Sequence, residues 1–566
     1  MNARCRVRSR CQRSLVVVLL AVLAPAAPAA VPLTADGPIV QLPPMIVGES
    51  TGRPWLYARL PDGEYLSRCS PRLTRSFIEA HYRLSQILRV LVPGKFLLRT
   101  DVPPVMIVVG VEEKLAASDL VAQEVRGKVE SSGRLPAAGM PVVRFLSDLR
   151  LDDRDMSAMY VMLDERAFDG DQLRTTPAAL RMLMERRAPM LPPWLIEGVV
   201  AVYAGTKVEG DTLVFPRLHW LPDEDRGALL NDPQHPRALL PAEEFFAPDA
   251  LRDRDGNEPR RDTWHGQAAL FFRWALDPAN GPARAGLWRF VERAETEPVT
   301  EEMFESCFGF GFSDLRDRLS DYLPGAVRNT LQIPLGKLPA MPRVEIRPAT
   351  RGEIARLRGE WERIEIDFVK QTQPEFAPRY VELARRTVQR ALDEGESDPR
   401  LLALLGLCEL DAGNESAARA LLETAISAGV IRPRAYHEVA RLRFAELARA
   451  DPNGLFSAIE LGPVIEPLRI AIAQAPPLPE AFALLGEALM RARDEPAAGD
   501  LDALVRGASL FRWRPALCYR LAVVLARHGR NAEAAAVVDD AMARAVDEPS
   551  RVKLVELQFL LGRARR

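Results

Sequence analysis

Residues 177–205 read PAALRMLMERRAPMLPPWLIEGVVAVYAG. Thr175 and Thr176 can cap a helix whose first turn takes Pro177, because proline's fixed φ and missing N–H suit that position. Leu180, Leu183, Met184 and Arg187 continue at helical spacing until Pro189 stops the run. The elbow Pro192-Pro193-Trp194 then leads into a second apolar helix, Leu195 to Tyr203. The stretch therefore predicts two short helices joined by a proline elbow.

Upstream, Pro61-Asp62-Gly63 is a turn-forming triplet inside Tyr57–Leu66 and predicts a short hairpin. Ser70-Pro71 opens a helix whose buried face is Leu73, Phe77, Leu84, Ile87, Leu88 and Leu91, closed by Pro93-Gly94. His81 lies near that stripe and reads as a packed residue. The β-branched run Val105–Val109 is a buried strand, Val142–Leu146 and Ala158–Leu163 are further strands, and Gly127–Gly139 reads as a loop. Downstream, Asp223–Arg261 is a polar excursion. Helices follow after Asp262-Thr263, over Leu287–Ala294, after Thr300 and after Ser313.

The segment PPWLIEGVVAVYAG resembles the P-x-W-L-x-E-G-[LV]-A-x-[YF] segment of gluzincin-type metallopeptidases in the peptidase MA-like superfamily. The resemblance implies an α+β zincin-like domain over residues 55–325, with a small, mainly antiparallel sheet behind an active-site helix. It also implies zinc, with Glu197 as the third ligand after an H-E-x-x-H helix. Zinc hydrolysis needs two imidazoles at i and i+4 so that both reach one metal, with a glutamate beside the first as general base. The histidines are His81, His219, His235, His265, His437 and His528, and no two are four apart. One register of the motif falls on Met184–Ala188, with Glu185 as the base, and the other on Thr176–Leu180. Both lack both histidines. His219 or His265 could bring a nitrogen from elsewhere; otherwise Glu197 is a local acid near a helix start. Glu185 and Glu197 are thus vestigial site candidates, with no catalytic residue and no cofactor expected. Trp194, Trp264, Trp274 and Trp288 read as core, with Trp194 a candidate lining of a residual cleft.

The last third repeats. Counting Pro399 as the first position, Gly406, Ala418, Leu422 and Ala425 fall at the places where tetratricopeptide-type helix pairs need small or packing residues. Ala522, Ala534, Val538 and Ala541 take the same places after Pro515, and weaker copies begin near Pro433 and Pro479, the first interrupted around Ala450–Pro463. An all-α solenoid is expected over 395–566. Residues 326–350, proline-rich and unpatterned, read as a linker, and 351–394 as a heavily charged helical connector.

With 566 residues, several domains are expected. Residues 1–29 read as a secretory signal: five arginines, the apolar run Leu15–Leu23, then a small-residue cleavage site. That run is too short for a permanent membrane span, and 30–54 is an extended lead-in. Loss of five arginines from 75 basic residues leaves 70 against 77 acidic ones, a net charge near −7. Nothing basic marks a nucleic-acid surface. Cys408 and Cys518 read as buried thiols, whereas Cys69 and Cys307 could be two more or could form a bridge in an oxidising compartment. The expected function is an exported, non-catalytic binding or scaffolding protein, periplasmic or extracellular, that holds a protein or peptide through its repeats. The alternative is a zinc-dependent metallopeptidase with unconventional ligands.

Overall fold

Pro61-Asp62-Gly63 turns the chain between β1 (Leu56–Leu60) and β2 (Gly63–Ser67), which pair antiparallel. The computed structural model describes residues 53–110, 145–163, 177–203, 206–218, 220, 239–247, 258–544 and 548–564. The signal-like segment, the 127–139 loop, His219 and His235 lie outside them. Helix α1 (Pro71–Leu91) starts at Ser70, whose hydroxyl accepts the Leu73 N–H at 3.3 Å, and it buries the predicted stripe. It also crosses the sheet, so the next strand, β3 (Val105–Gly110), runs parallel to β2. β4 (Phe145–Asp152) and β5 (Ser157–Leu163) follow, with β5 parallel to β3 and antiparallel to β4.

The elbow joins two helices, α2 (Pro177–Met184) and α3 (Pro193–Tyr203). However, α2 ends at Met184, before the expected stop at Pro189, because Arg186 takes a left-handed backbone at φ 63°, and α3 starts at Pro193 rather than Leu195. After β6 (Lys207–Glu209) and β7 (Thr212–Phe215) come α4 (Ala242–Phe245), α5 (Glu258–Leu276), α6 (Ala283–Ala294), α7 (Glu301–Phe308) and α8 (Phe312–Arg328). α5 begins before Asp262-Thr263, and α8 is capped by Gly311, which leaves Ser313 inside the helix. These helices close on Trp194, Phe246, Phe271, Phe290 and Phe304. Trp194 is therefore core and lines no cleft; its ring stacks on Phe290 and meets Phe246 and Phe271 edge-on.

The region expected to be a linker supplies two strands. β8 (Leu331–Pro334) pairs with β7 in a three-stranded antiparallel sheet, and β9 (Arg347–Pro348) pairs with β1. The larger sheet has the order β4-β5-β3-β2-β1-β9. It is mixed, with β2, β3 and β5 parallel at its centre, where a mainly antiparallel sheet was expected. Cys69 and Cys307 lie in different cores and are not bridged.

β3 is buried along its whole length because the sheet is covered on both faces. Met106 and Val108 face α1, packing with Leu73, Phe77 and Ile78. Val105, Ile107 and Val109 face the other way, against Leu357, Trp361 and Ile364. Those three residues belong to α9 (Arg351–Thr372), the supposed connector. Its opposite side packs on α10 (Ala377–Asp393) and α11 (Pro399–Asp411) through Ala355, Ile366 and Val369. One helix thus ends the sheet region and begins the helical array.

The array continues as antiparallel pairs: α11 with α12 (Glu415–Ser427), α13 (Pro433–Ala450) with α14 (Ala458–Ala473), α15 (Pro479–Met490) with α16 (Ala498–Leu510), and α17 (Pro515–Arg527) with α18 (Asn531–Arg544). α19 (Glu548–Ala564) follows. At Gly406 the α11–α12 approach is so close that a Cβ would lie 2.7 Å from Leu422 Cγ, which is why that repeat position takes a small residue. Residues at or just before the first helix of each pair touch the sheet region. Arg400 reaches Glu64, Arg434 reaches Asp153, Ala475 pairs with Asp101, and Arg512 donates to the Thr296 carbonyl.

Candidate functional site

Gly198 fixes the geometry of the elbow. A Cβ there would lie 2.6 Å from the Ala268 carbonyl oxygen and 2.9 Å from Phe272 Cβ, so α3 and α5 cross at contact distance only because the residue is glycine. His265, one turn before Ala268 on α5, is thereby brought beside Glu197: its Nδ1 lies 3.4 Å from Oε2. The same two carboxylate oxygens accept Arg181 Nη1 and Nη2 at 2.6 and 2.7 Å, a bidentate pair. Arg181 also donates to Glu185 Oε1 at 3.2 Å, one helical turn away, and Arg150 on β4 reaches Glu185 Oε2 at 2.9 Å.

Glu185 and Glu197 are therefore in one cluster, joined by the Arg181 guanidinium. Burial by itself would raise the Glu197 carboxyl; hydrogen bonds from His265 and Arg181, with the Arg181 charge, outweigh it and bring it down to about 2. Arg181 is held above its ordinary value chiefly by its hydrogen bonds to Glu197. The arrangement stores charge in fixed pairs. The Glu197 carboxylate is thus held ionised near neutral pH.

The residues do not fit the zinc that the family resemblance implies. A zinc site takes three or four protein ligands, and no group of three His, Cys, Asp or Glu able to hold a metal ion occurs among the described residues. The position facing both Glu197 oxygens carries the positive charge of Arg181, which would repel a second cation. No spacing along the chain points to His265, since its approach depends on Gly198. Arg181 is absent from the sequence-based candidates, although its i,i+4 relation to Glu185 is a readable signal.

His81 is packed as expected: it accepts or shares a hydrogen bond with Tyr65 Oη at 2.8 Å, stacks on Phe77, and burial lowers it to about 4. In the array, a groove of about 270 Å³ is lined by Glu487 and Met490 of α15, Tyr519 and Arg520 of α17, and Lys553 of α19. Tyr519 gives it an aromatic wall, and Arg520 and Lys553 give it two cations against Glu487. No helix among the described residues is long and apolar enough to cross a membrane.

No protein-family model matches the chain, and no curated protein matches it. Among solved structures, the chain is similar to YrrB, "a TPR protein with an unusual peptide-binding site", at 13% identity and a TM-score of 0.27, over 34% of this chain and 90% of that one. It is also similar to a thermophilic TPR protein of Thermus thermophilus, TTC0263, at 22% identity and a TM-score of 0.23, over 33% of this chain and 94% of the other. The helical-repeat character of residues 399–544 rests on the helix pairs described above.

Proposed function

We propose that the protein is an exported, non-catalytic binding protein whose helical repeats hold a protein or peptide partner. The sheet-containing region is read as a peptidase MA-like body that has kept the elbow and given up zinc chemistry. The observation that carries this reading is the contrast along the array. Residues at or just before the first helix of each pair are pinned to the sheet region from Arg400 to Arg512, while the groove between α15, α17 and α19 stays open. An extended peptide with an acidic group would find the Tyr519 ring for apolar contact and Arg520 and Lys553 for its charge.

Removal of the array would be a poor test, because α9 also covers the sheet. A photo-crosslinking residue at Tyr519 in the intact protein is the direct one. A discrete adduct from an envelope extract that disappears in an Arg520→Glu, Lys553→Glu background is expected, and no adduct at all would sink the groove. Metal analysis tests the other half: stoichiometric zinc, lost on Glu197→Ala, would replace the non-catalytic reading with a metallopeptidase using unconventional ligands.

A further inference from the structure

A second concavity lies in the sheet region, at the amino ends of the parallel strands. Pro61 and Asp62 precede β2, Pro103 and Pro104 precede β3, and Asp155 to Ser157 lead into β5; all line one cavity of about 640 Å³. That volume is in the range of small-molecule sites. Pro476, from the turn before α15, closes part of it, so the wall includes the array as well as the sheet region.

Four arginines line this cavity: Arg59, Arg89, Arg99 and Arg186. The three aspartates beside them are already committed. Asp62 accepts from Ser85 and Arg89, Asp101 accepts the Ala475 N–H at 2.7 Å, and Asp155 Oδ2 accepts the Arg434 N–H at 2.9 Å and lies 3.1 Å from Arg432 Nε. The side chains of Arg59 and Arg99, by contrast, make no hydrogen bond or ion pair among the described residues. Two uncommitted guanidinium groups at one cavity favour a carboxylate.

Two further observations are independent of that charge. Asp155 is completely buried, and its Oδ1 has no hydrogen-bond partner. A buried carboxylate oxygen without a donor is costly, and an incoming N–H would satisfy it. Arg186 is the one non-glycine among the described residues with a left-handed backbone, φ 63°, and its side chain is held by the Met156 carbonyl at 2.6 Å and Ser157 Oγ at 3.0 Å. Such outliers persist where surrounding contacts over-determine them, and they concentrate at ligand sites.

We propose that this cavity binds a short peptide or amino-acid-like ligand carrying both a free carboxylate and N–H donors. The carboxylate is received by Arg59 and Arg99, and an N–H by Asp155 Oδ1. The site is separate from the groove on α15, α17 and α19 and does not depend on it.

The test uses the full chain and a library of tripeptides, each prepared as the free acid and as the C-terminal amide, read by thermal shift and then titration calorimetry. A subset of free acids raises the melting temperature, their amides bind at least tenfold more weakly, and the Arg59→Ala, Arg99→Ala double variant loses the response. Both arginines are exposed, so that variant keeps the melting temperature of the unliganded protein. Succinate, which offers carboxylates without N–H groups, binds at least tenfold more weakly than the best free acid. No free-acid response, or a response indifferent to the double variant or to amidation, overturns the proposal. Succinate binding as tightly as the best tripeptide overturns the role of Asp155.

Discussion

At the seam between sheet and array, Asp153, Asp155 and Glu360 face Arg363, Arg432 and Arg434, and none of these side chains is more than 7% exposed. At the elbow, Glu185 and Glu197 face Arg150 and Arg181, with exposures from 10% to 31%. The residue types and contact distances are alike. Arg432 meets Glu360 at 2.6 Å, as Arg181 meets Glu197. What differs is access to water. The seam sets these three acids, with Asp411 beside Arg363 and Arg434 at its edge, against the three arginines in a place that cannot be rehydrated without parting the two regions. Its burial costs desolvation, so its value is in fixing which residues meet across the seam. The elbow cluster can be screened and hydrated, and its loss should leave the fold standing.

That contrast can be broken at the seam first. Asp153→Ala removes an acceptor shared by Arg363 and Arg434 and leaves both cations buried. A loss of about 3–5 kcal/mol is expected, measured by urea unfolding; a loss below about 1 kcal/mol would place the seam in the same class as surface pairs. Next is Gly198→Ala, which pushes a methyl group against the Ala268 carbonyl. It should cost about 1–3 kcal/mol, and an unchanged melting temperature would show that the α3–α5 crossing is looser than described.

Glu197→Gln sharpens the elbow side. The folded Glu197 carboxyl titrates near 2 against an ordinary 4.5. Its contribution is therefore fully present above pH 4.5 and is lost as pH falls from there toward 2. Because the group is partly solvated, about 1 kcal/mol is expected. The glutamine variant should lie below the parent at pH 6 and converge on it near pH 2; a constant gap across that range would contradict the assignment. The smallest effect belongs to Arg530→Ala, whose exposed pair with Glu533 should leave the unfolding midpoint unchanged within error.

Local features were legible where a residue's own chemistry determines the backbone. The Ser70 cap, the Pro61-Asp62-Gly63 hairpin, the Pro177 helix start and the spaced small residues from Gly406 onward all read correctly because sterics and capping act over a few positions. α9 departs from its expected role for the opposite reason. Arg356, Glu360, Glu362, Arg363 and Glu365 suggest a solvated helix, yet all are buried. Arg356 is neutralised by Glu64 at 2.7 and 2.8 Å, and Arg363 by Asp153, partners 292 and 210 residues away in the chain. One clue was available. A strand that is apolar on both faces, as Val105–Val109 is, requires two covers, and α1 could provide only one.

The elbow shows the same division. Sequence alone determined that two helices meet at Pro192-Pro193-Trp194, since that follows from residue identity and spacing. Only the tertiary structure decided which groups meet Glu197. Arg181 closes on Glu197 because Gly198 lets α3 and α5 touch, and His265 arrives from 68 positions farther along the chain by the same crossing. Spacing along a helix is a local property and can be read from the chain. The meeting of charges from distant elements depends on how those elements pack, and that is settled by the whole fold.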